Sequence, residues 1–265
     1  MSDADEMGLT RAAAQGYETY FVPAIFGQWP PVFIERTGIH PGNKVLDVGC
    51  GTGVLARSLL PLVGPMGRVT GLDLSASMLA VAKEVAPGAD CQQGSVLELP
   101  FDDEAFDATI GAFMLMFVSE PDKAVSEMCR VTLPGGRITI GVWEGLETNH
   151  VYADLVRIVT DVVDEEAGKS IAWPFALGAP GKLGEIFRLS GSAEPDIRSH
   201  SGVARFPSVT EFVKTEIESW LLAESVSDEA LTEITAKANE QFSQYCDANG
   251  RMSFPINAEI AVAIK

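Results

Sequence analysis

Acidic residues and glycines around position 50 have the types and spacing of a nucleoside-binding turn. The apolar run Val45–Val48 contains Asp47, and glycines follow at alternate positions from 49 to 53, ahead of residues with helical spacing. This pattern predicts a buried strand, a tight turn and a helix start. Glycine allows positive φ and lets a ligand approach the backbone closely. The predicted strand at 68–72 ends in Asp73, whose carboxylate can accept hydrogen bonds from ribose hydroxyls. The two segments together predict a pocket for an adenosine-like ligand.

The details of the turn distinguish between two kinds of nucleoside ligand. A dinucleotide-binding turn has the spacing G-x-G-x-x-G, whereas this chain has G-x-G-x-G, with Val54 where the third glycine would stand. The carboxylate of Asp47 would repel a pyrophosphate, but it suits a cationic or amino-bearing ligand. S-adenosylmethionine has a sulfonium, an ammonium and a ribose, and no phosphate. We therefore expect S-adenosylmethionine as the cofactor, with a nicotinamide enzyme as one alternative.

Strands and helices alternate through the first half of the chain. Strands are predicted at 45–48, 68–72, 89–93, 106–110 and 137–143, with helices at 54–62, 76–85 and 122–131 and a turn at 133–136. A helical region at 9–36, broken near Pro23 and at Pro30–Pro31, comes before them. Such alternation predicts a doubly wound parallel sheet, which binds ligands beyond the carboxyl ends of its strands. Asp47, Asp73, Ser95 and Gly111 would converge on that edge.

The second half is less regular. Helices are predicted at 150–168, 181–190, 210–223 and 228–246, a loop from 173, and strands at 196–206 and 253–264. We expect the late helices to cap the pocket rather than form an independent domain. The predicted organisation is one domain in three parts: N-terminal helices over the cofactor site at 1–40, a cofactor-binding core at 41–145, and the rest of the sheet with an inserted helical cap at 146–265.

Several segments resemble class I S-adenosylmethionine-dependent methyltransferases. Residues 46–53 resemble the family's first motif, and residues 94–107 and 130–140 resemble the segments around its fourth and fifth strands. The segments 17–23 and 254–259 are similar to the covering helix and closing strand of the small-molecule and quinone branch. The resemblance implies an α/β fold with a mostly parallel, doubly wound seven-stranded sheet and a helical cap. It implies methyl transfer to a small molecule that is apolar in part; the alternatives are a cyclase or decarboxylase reaction on the same fold, or a binder without catalysis.

The resemblance also implies a role for individual residues at the strand ends. Ser95 stands where the family usually has an acidic residue facing the adenine amino group, so a contact there would lack charge assistance. The implied cofactor-binding residues are Tyr17, Asp47, Gly49, Gly51, Asp73, Leu74, Met78, Ser95, Val96, Ala112 and Phe113.

Methyl transfer from a sulfonium is an in-line displacement, for which a protein mainly supplies approach geometry and desolvation. A general base is needed only when the acceptor must lose a proton. His150, just after the fifth predicted strand, and Tyr20, on the N-terminal helix, are the candidate catalytic residues, although each also suits a structural role. No spacing typical of metal ligands occurs, so no metal is expected.

The composition limits the classes of partner. The formal net charge is −18, and such an acidic chain disfavours nucleic acid, whose phosphates require clustered lysine and arginine. Cys50, Cys91, Cys129 and Cys246 have no metal-binding or disulfide-like spacing and suit free thiols. The acidic N-terminus does not resemble a signal peptide, and no apolar run reaches membrane-spanning length. We expect a cytoplasmic location, no membrane insertion and a small-molecule acceptor; a homodimer is compatible with the sequence, which leaves the oligomeric state open.

Overall fold

A seven-stranded sheet forms the centre of the molecule. The structure is a computed structural model that describes residues 10–217 and 226–265. Strands run in the order β3-β2-β1-β4-β5-β7-β6; β1 to β5 are parallel, and β7 is antiparallel to both β5 and β6. This architecture confirms the predicted fold class. The strands are β1 Lys44–Val48, β2 Arg68–Asp73, β3 Asp90–Gln93, β4 Phe106–Ala112, β5 Thr132–Trp143, β6 Asp196–Phe206 and β7 Met252–Ile264.

Helices flank the sheet in the described ranges, and local signals explain where several begin. Gly53, at φ 84°, lies at the start of α4, and the Ser75 hydroxyl accepts a hydrogen bond from the Met78 amide at the start of α5. Such capping satisfies amides that have no partner within the helix. The helices are α1 Arg11–Gly16, α2 Val22–Ala24, α3 Pro30–Thr37, α4 Val54–Val63, α5 Ala76–Val85, α6 Pro121–Val131, α7 His150–Val162, α8 Glu165–Ala172, α9 Lys182–Leu189, α10 Val209–Glu216 and α11 Asp228–Phe242.

The N-terminal region is helical with interruptions, as predicted. A wider, π-helical turn at Tyr17–Phe21 joins α1 to α2, and a 3-10 turn at Phe26–Gln28 precedes α3. Regular helix is lost at Ile25, where φ is −126° and ψ is −56°. Pro30 and Pro31 begin α3, at a position where proline has no amide partner to lose. Both interruptions fall near the prolines that predicted them.

Some predicted boundaries in the second half are wrong. The helix predicted at 150–168 is two helices, because Asp164 is extended and its side chain accepts the Ala167 amide at 2.8 Å, which starts α8 anew. A 3-10 turn replaces the predicted loop at Trp173–Phe175. The helix predicted at 228–246 ends at Phe242, before a 3-10 turn at Ser243–Tyr245. The end of the helix predicted at 210–223 lies outside the described residues.

The turn predicted at 133–136 falls within β5. The pairing of β4 with β5 shifts between Phe106 and Ala108, whose partners are Thr132 and Arg137. Gly135, at φ 80°, lies in the extra stretch of β5 that this shift creates. The predicted turn is therefore an irregularity inside a longer strand.

One continuous hydrophobic core extends from the N-terminal helical region to β7, and its members include Phe33, Leu46, Phe187 and Ile260. All four cysteines are free thiols. Within residues 10–217 and 226–265, no helix combines the length and apolar character that a bilayer crossing requires.

Candidate functional site

The turn after β1 has the backbone geometry that its glycines predict. Gly49, Gly51 and Gly53 have φ values of 65°, 53° and 84°. A Cβ atom on Gly49 would lie 2.5 Å from the Cβ of Met114, so no other residue fits there without a shift. A Cβ on Gly51 would meet nothing within 4 Å. The turn therefore packs tightly against the protein at Gly49 and leaves open space at Gly51, where a ligand can approach the backbone.

Asp73, at the end of β2, is bonded directly to this turn. Its Oδ2 accepts the Gly51 amide at 2.8 Å, and its Oδ1 accepts the Ser75 amide at 2.8 Å. Burial raises the pKa of Asp73, while hydrogen bonds from the Ser75, Gly51 and Leu74 amides oppose that rise. Each carboxylate oxygen can accept more than one hydrogen bond. Asp73 is thus held in place by backbone amides, with acceptor capacity left for a hydroxyl donor of a ligand.

Asp47, within β1, is a buried carboxylate that is only partly satisfied. It is 1% exposed and accepts a backbone hydrogen bond from Ala56 in the first turn of α4, and its Oδ2 has no partner among the residues that the structure describes. Burial raises the pKa of Asp47 well above the usual range, and nearby Cys91 and Asp73 raise it further. A buried charge is costly unless a cation or hydrogen-bond donors compensate for it. The unpartnered Asp47 oxygen therefore suits a cationic or amino-bearing ligand such as S-adenosylmethionine.

A cleft of about 430 Å³ opens from the turn. Its floor is polar, with Asp47 and the backbone of Gly49 and Gly51, and its walls are aromatic. The predicted cofactor-binding residues that line it together are Tyr17, Asp47, Gly49, Gly51, Ala112 and Phe113, and Phe26, Trp29 and Phe33 add to the walls.

The residues predicted to bind the adenine do not line this cleft. They lie instead beside Asp73, beyond the ends of β2 and β3. The Gly94 amide donates to the Asp73 carbonyl at 3.1 Å, and Ser95 follows. The Ser95 hydroxyl accepts the Leu97 amide at 3.2 Å, so part of its hydrogen-bonding capacity is already used. Val96 and Met78 are buried, and Leu74 is half-buried.

Phe113, directly after β4, joins the cleft to the rest of an aromatic cluster. It has φ 56°, a backbone conformation that non-glycine residues rarely adopt. Its ring stacks on Trp143 with centroids 3.9 Å apart and meets Phe26, Trp29 and Phe33 edge-on. Backbone strain of this kind concentrates at functional sites. The Phe113 ring lies at the boundary between the cleft and the rest of the aromatic cluster.

The N-terminal region covers the glycine turn through specific contacts. Glu18 accepts the Thr52 hydroxyl at 2.6 Å and forms an ion pair with Arg57 of α4. The neighbouring Tyr17 ring stacks on Phe21 and Phe26. Burial raises the pKa of Tyr17, and the charges of Asp73 and Glu18 raise it further. Tyr17 therefore lies close to both the turn and Asp73, as expected for a residue that covers the site.

A second cavity, of about 550 Å³, adjoins the cleft and shares Tyr17, Phe26 and Phe113 with it. The rest of its lining is almost entirely apolar, apart from Tyr152 and Glu216, whose hydroxyl and Oε1 are 2.7 Å apart. Burial raises the pKa of Glu216 to about 7. The remaining lining residues are Phe21, Ile25, Phe117, Trp143, Ile171, Pro174 and Phe175.

Tyr152 and Glu216 were not among the residues predicted from the sequence, although a signal for Glu216 was present. Val209, Phe212 and Val213 are buried on one face of α10, and Glu216 is the next residue at the same helical spacing. An acidic residue on an otherwise apolar helical stripe is unusual and indicates a functional role.

The two candidate catalytic residues lie elsewhere. Tyr20 is 54% exposed, and His150 is exposed at the start of α7. Neither lines the cleft or the second cavity. Their catalytic roles stay predictions. Within the described parts of the chain, no group of three or more histidine, cysteine or acidic side chains could hold a metal ion.

The strand order, the glycine turn and the acids on adjacent strands define a class I methyltransferase fold. Residues 46–140 match the family described as methyltransferase domain. A segment of 118 residues, 42% of this chain, is 39% identical to the ubiquinone/menaquinone biosynthesis C-methyltransferase UbiE of Francisella tularensis and covers 47% of that protein. The chain thus spans about half the length of the curated relatives that it matches.

Solved structures share the fold over a longer range. A putative methyltransferase of Bacillus halodurans, 19% identical, aligns over 89% of this chain and 98% of its own with a TM-score of 0.61. Phosphoethanolamine N-methyltransferase 2 of Haemonchus contortus, solved with S-adenosyl-L-methionine, is 22% identical and aligns over 100% of this chain and 60% of its own, with a TM-score of 0.62. The chain therefore has a class I methyltransferase fold, and the part of it that matches is similar to a methyltransferase domain and to quinone-type C-methyltransferases, in line with the sequence resemblance.

Proposed function

We propose that this protein transfers a methyl group from S-adenosylmethionine to a small-molecule acceptor with an apolar portion. The main supporting observation is the buried Asp47 carboxylate, which has an unpartnered oxygen at the floor of an aromatic cleft. A ligand ammonium or sulfonium would supply the positive charge that the protein itself does not provide there. Asp73, one strand away and bonded to the same turn, is positioned for a ribose.

Each residue at the turn has a distinct role in this proposal. Asp47 and the backbone of Gly49 and Gly51 hold the methionine part of the cofactor, and Asp73 accepts hydrogen bonds from the ribose hydroxyls. Tyr17 covers the sulfonium, where an aromatic face is favourable by cation–π attraction. Leu74 and Met78 pack on the adenine, Ser95 and Val96 lie at its edge, and Ala112 and Phe113 line the methyl-donor end.

The bound cofactor supplies an electrophilic methyl group on positively charged sulfur. The contribution of the chain is to orient the reactants and to exclude water. Phe26, Trp29 and Phe113 form walls between the turn and the second cavity. An acceptor in the second cavity would meet the donor across the shared Tyr17, Phe26 and Phe113. Positioning of this kind lowers the entropic part of the barrier.

The match to a methyltransferase domain family and to curated C-methyltransferases favours methyl transfer over a cyclase, a decarboxylase or a binder without catalysis. The apolar second cavity supports a small molecule as the partner rather than nucleic acid. We further propose one domain in three parts, 1–40, 41–145 and 146–265, in the cytoplasm; the continuous core supports the single domain. A homodimer stays a prediction.

Calorimetric titration of the purified chain with S-adenosylmethionine, S-adenosylhomocysteine and NAD tests the cofactor. Asp73→Ala should weaken binding of both S-adenosyl compounds by ~1–3 kcal/mol, the usual effect of removing a charged hydrogen-bond partner. The matched control is Asp102→Ala, since Asp102 is exposed between β3 and β4. Binding of NAD without binding of S-adenosylmethionine would contradict the proposal. Turnover is measured as S-adenosylhomocysteine formed on incubation with a library of apolar hydroxyl and amine compounds.

A further inference from the structure

The second cavity is built to receive a flat, apolar molecule. Most of its lining side chains are aromatic, including Phe113 and Trp143, whose stacked rings form one wall. Its volume is about 550 Å³, which includes space open to solvent. It meets the cofactor cleft at Tyr17, Phe26 and Phe113. A molecule in this cavity is therefore beside the end of the cleft assigned to the methyl group.

Among the described residues that line this cavity, Glu216 is the one carboxylate. It is the last residue of α10, and its Oε1 accepts the Tyr152 hydroxyl at 2.7 Å. Tyr152, on α7, is itself fixed by ring contacts with Phe175, Phe212 and Phe254 at centroid distances of 4.8, 5.7 and 5.9 Å. The carboxylate is thus held in place by a rigid donor.

The surroundings of Glu216 do not supply a compensating charge. Tyr17 and Tyr152 are the other titratable residues lining the cavity, and no lysine, arginine or histidine lines it in the described parts of the chain. A buried acid with no cation beside it stabilises the folded protein less than an apolar side chain of similar size does. A packing role would therefore be served better by leucine or methionine, and a ligand is the better explanation for this acid.

We propose that Glu216, oriented by Tyr152, is the general base that takes a proton from the hydroxyl group of a planar, aromatic acceptor. This inference deepens the proposed function and rests on it. The aromatic walls select the flat body of the acceptor, and the single carboxylate selects one proton-donating group at its edge. A hydroxyl matches this arrangement because its removable proton is also the one that methyl transfer must release.

The proposed step balances in atoms and charge. The O–H bond of the acceptor breaks, and its proton passes to the Glu216 carboxylate. An electron pair from the acceptor oxygen forms the new bond to the methyl carbon, and the electron pair of the sulfur–methyl bond goes to sulfur, which becomes neutral. When the ring carbon beside the hydroxyl attacks instead, the proton of that carbon returns to the oxygen, so the net proton on Glu216 is the same.

The acidity of Glu216 suits this role. Burial raises its pKa to about 7, and the hydrogen bond from Tyr152 works in the opposite direction. General bases are most efficient when their pKa is close to the working pH. Because Glu216 must be deprotonated to accept the proton, turnover should rise with pH through about 7 and then level off.

The experiment uses the full chain loaded with S-adenosylmethionine or S-adenosylhomocysteine, and three probes of the same shape. They are 2-naphthol with a hydroxyl, 2-naphthylmethylamine with an ammonium, and naphthalene with neither. The wild type should bind 2-naphthol in the S-adenosylhomocysteine complex, measured by fluorescence, and should methylate it. Preference for the ammonium probe, or binding of no probe, would overturn the assignment.

Glu216→Gln keeps the shape of the side chain and should reduce kcat for 2-naphthol by ~100-fold or more, while S-adenosylmethionine affinity stays unchanged. The rise of kcat with pH that is expected for the wild type should be absent in this variant. Tyr152→Phe tests positioning, since loss of its hydrogen bond should move the midpoint of this rise to higher pH. Glu240→Gln, at an exposed position on α11, is the matched control.

The two levels of the proposal fail in different ways. A wild type that does not bind S-adenosylmethionine contradicts the proposed function itself. Normal cofactor binding and turnover, together with an active Glu216→Gln variant that keeps the rise of kcat with pH, would overturn only the role of Glu216. Circular dichroism spectra and melting temperatures of all variants separate a loss of chemistry from a loss of folding.

Discussion

Asp47→Asn should stabilise the protein without its cofactor and weaken cofactor binding at the same time. The Asp47 side chain is 1% exposed, and its Oδ2 has no partner. Asparagine has the same shape, keeps an oxygen for the Ala56 amide and removes the buried negative charge. A buried acid that functions by binding a cation should destabilise the folded protein when the cation is absent.

The size of both effects can be bounded. Leaving a buried group unsatisfied destabilises a protein by ~1–3 kcal/mol, and by more when the group is charged. Replacing the unpaired charge of Asp47 by a neutral amide should therefore raise the free energy of unfolding by about 1–2 kcal/mol. In a chain of this size, each kcal/mol corresponds to about 2–4 °C in Tm. Loss of a charge-assisted contact with the cofactor should weaken binding by ~1.5–3 kcal/mol, which is about 10–150-fold in Kd.

The pH dependence separates this explanation from a general packing effect. The folded pKa of Asp47 is raised above its ordinary value of 3.8, so its penalty is absent below that value and grows as pH rises toward the folded pKa. The Tm advantage of Asp47→Asn should therefore be small near pH 4 and larger at pH 7. Asp73 and Glu216 also have raised pKa values but are present in both proteins.

Differential scanning calorimetry from pH 4 to 8, with and without S-adenosylhomocysteine, measures the stability effect, and isothermal titration measures the affinity. The ligand should raise the Tm of the wild type more than that of Asp47→Asn. A variant that is less stable than the wild type at every pH, and binds the ligand equally well, would refute the reasoning.

Two further substitutions test the cover over the site and the alternative base. Glu18→Gln removes the charge that pairs with Arg57 and should raise the Kd for S-adenosylhomocysteine by about 5–30-fold, since a partly buried charged hydrogen bond contributes ~1–2 kcal/mol. Stopped-flow dissociation should show a faster off-rate, and an unchanged off-rate counts against a covering role. His150→Ala should leave kcat within about twofold, because an exposed side chain that lines neither cavity cannot contact the acceptor. A large loss in kcat would favour His150 as the base over Glu216.

The turn, the sheet and the placement of the two acids could be predicted from the sequence because their signals are local. The glycine positions require positive φ, and parallel strands bring their carboxyl ends to one edge, so Asp47 and Asp73 had to lie near each other. The sequence also predicted a pocket wall at Phe113. It did not predict the positive φ of that residue or the stacking of its ring on Trp143, which is distant in the chain.

The residues of the second cavity could not be predicted in this way, because they are brought together by contacts between elements that are far apart in the chain. Tyr152 and Glu216 are 64 positions apart, on two helices that no sequence pattern brings together. His150 was the natural candidate because it follows β5, but its position at the first turn of α7 directs it to solvent. The next inward-facing titratable residue on α7 is Tyr152, two positions further along. A prediction based on strand ends alone could not make this distinction, since helix phase decides which side chain faces the cavity.

Asp47 at the cofactor cleft and Glu216 at the acceptor cavity share one physical property. Each is an acid whose pKa burial raises and for which the described lining of its cavity offers no cation. At the cofactor end, the missing charge would come from a permanently cationic ligand, so the carboxylate gains a partner on binding. At the acceptor end, a neutral hydroxyl brings a proton instead, so the carboxylate is neutralised only as the methyl group moves. One acid can therefore serve binding and the other chemistry, because Asp47 would meet a positively charged group and Glu216 a neutral one.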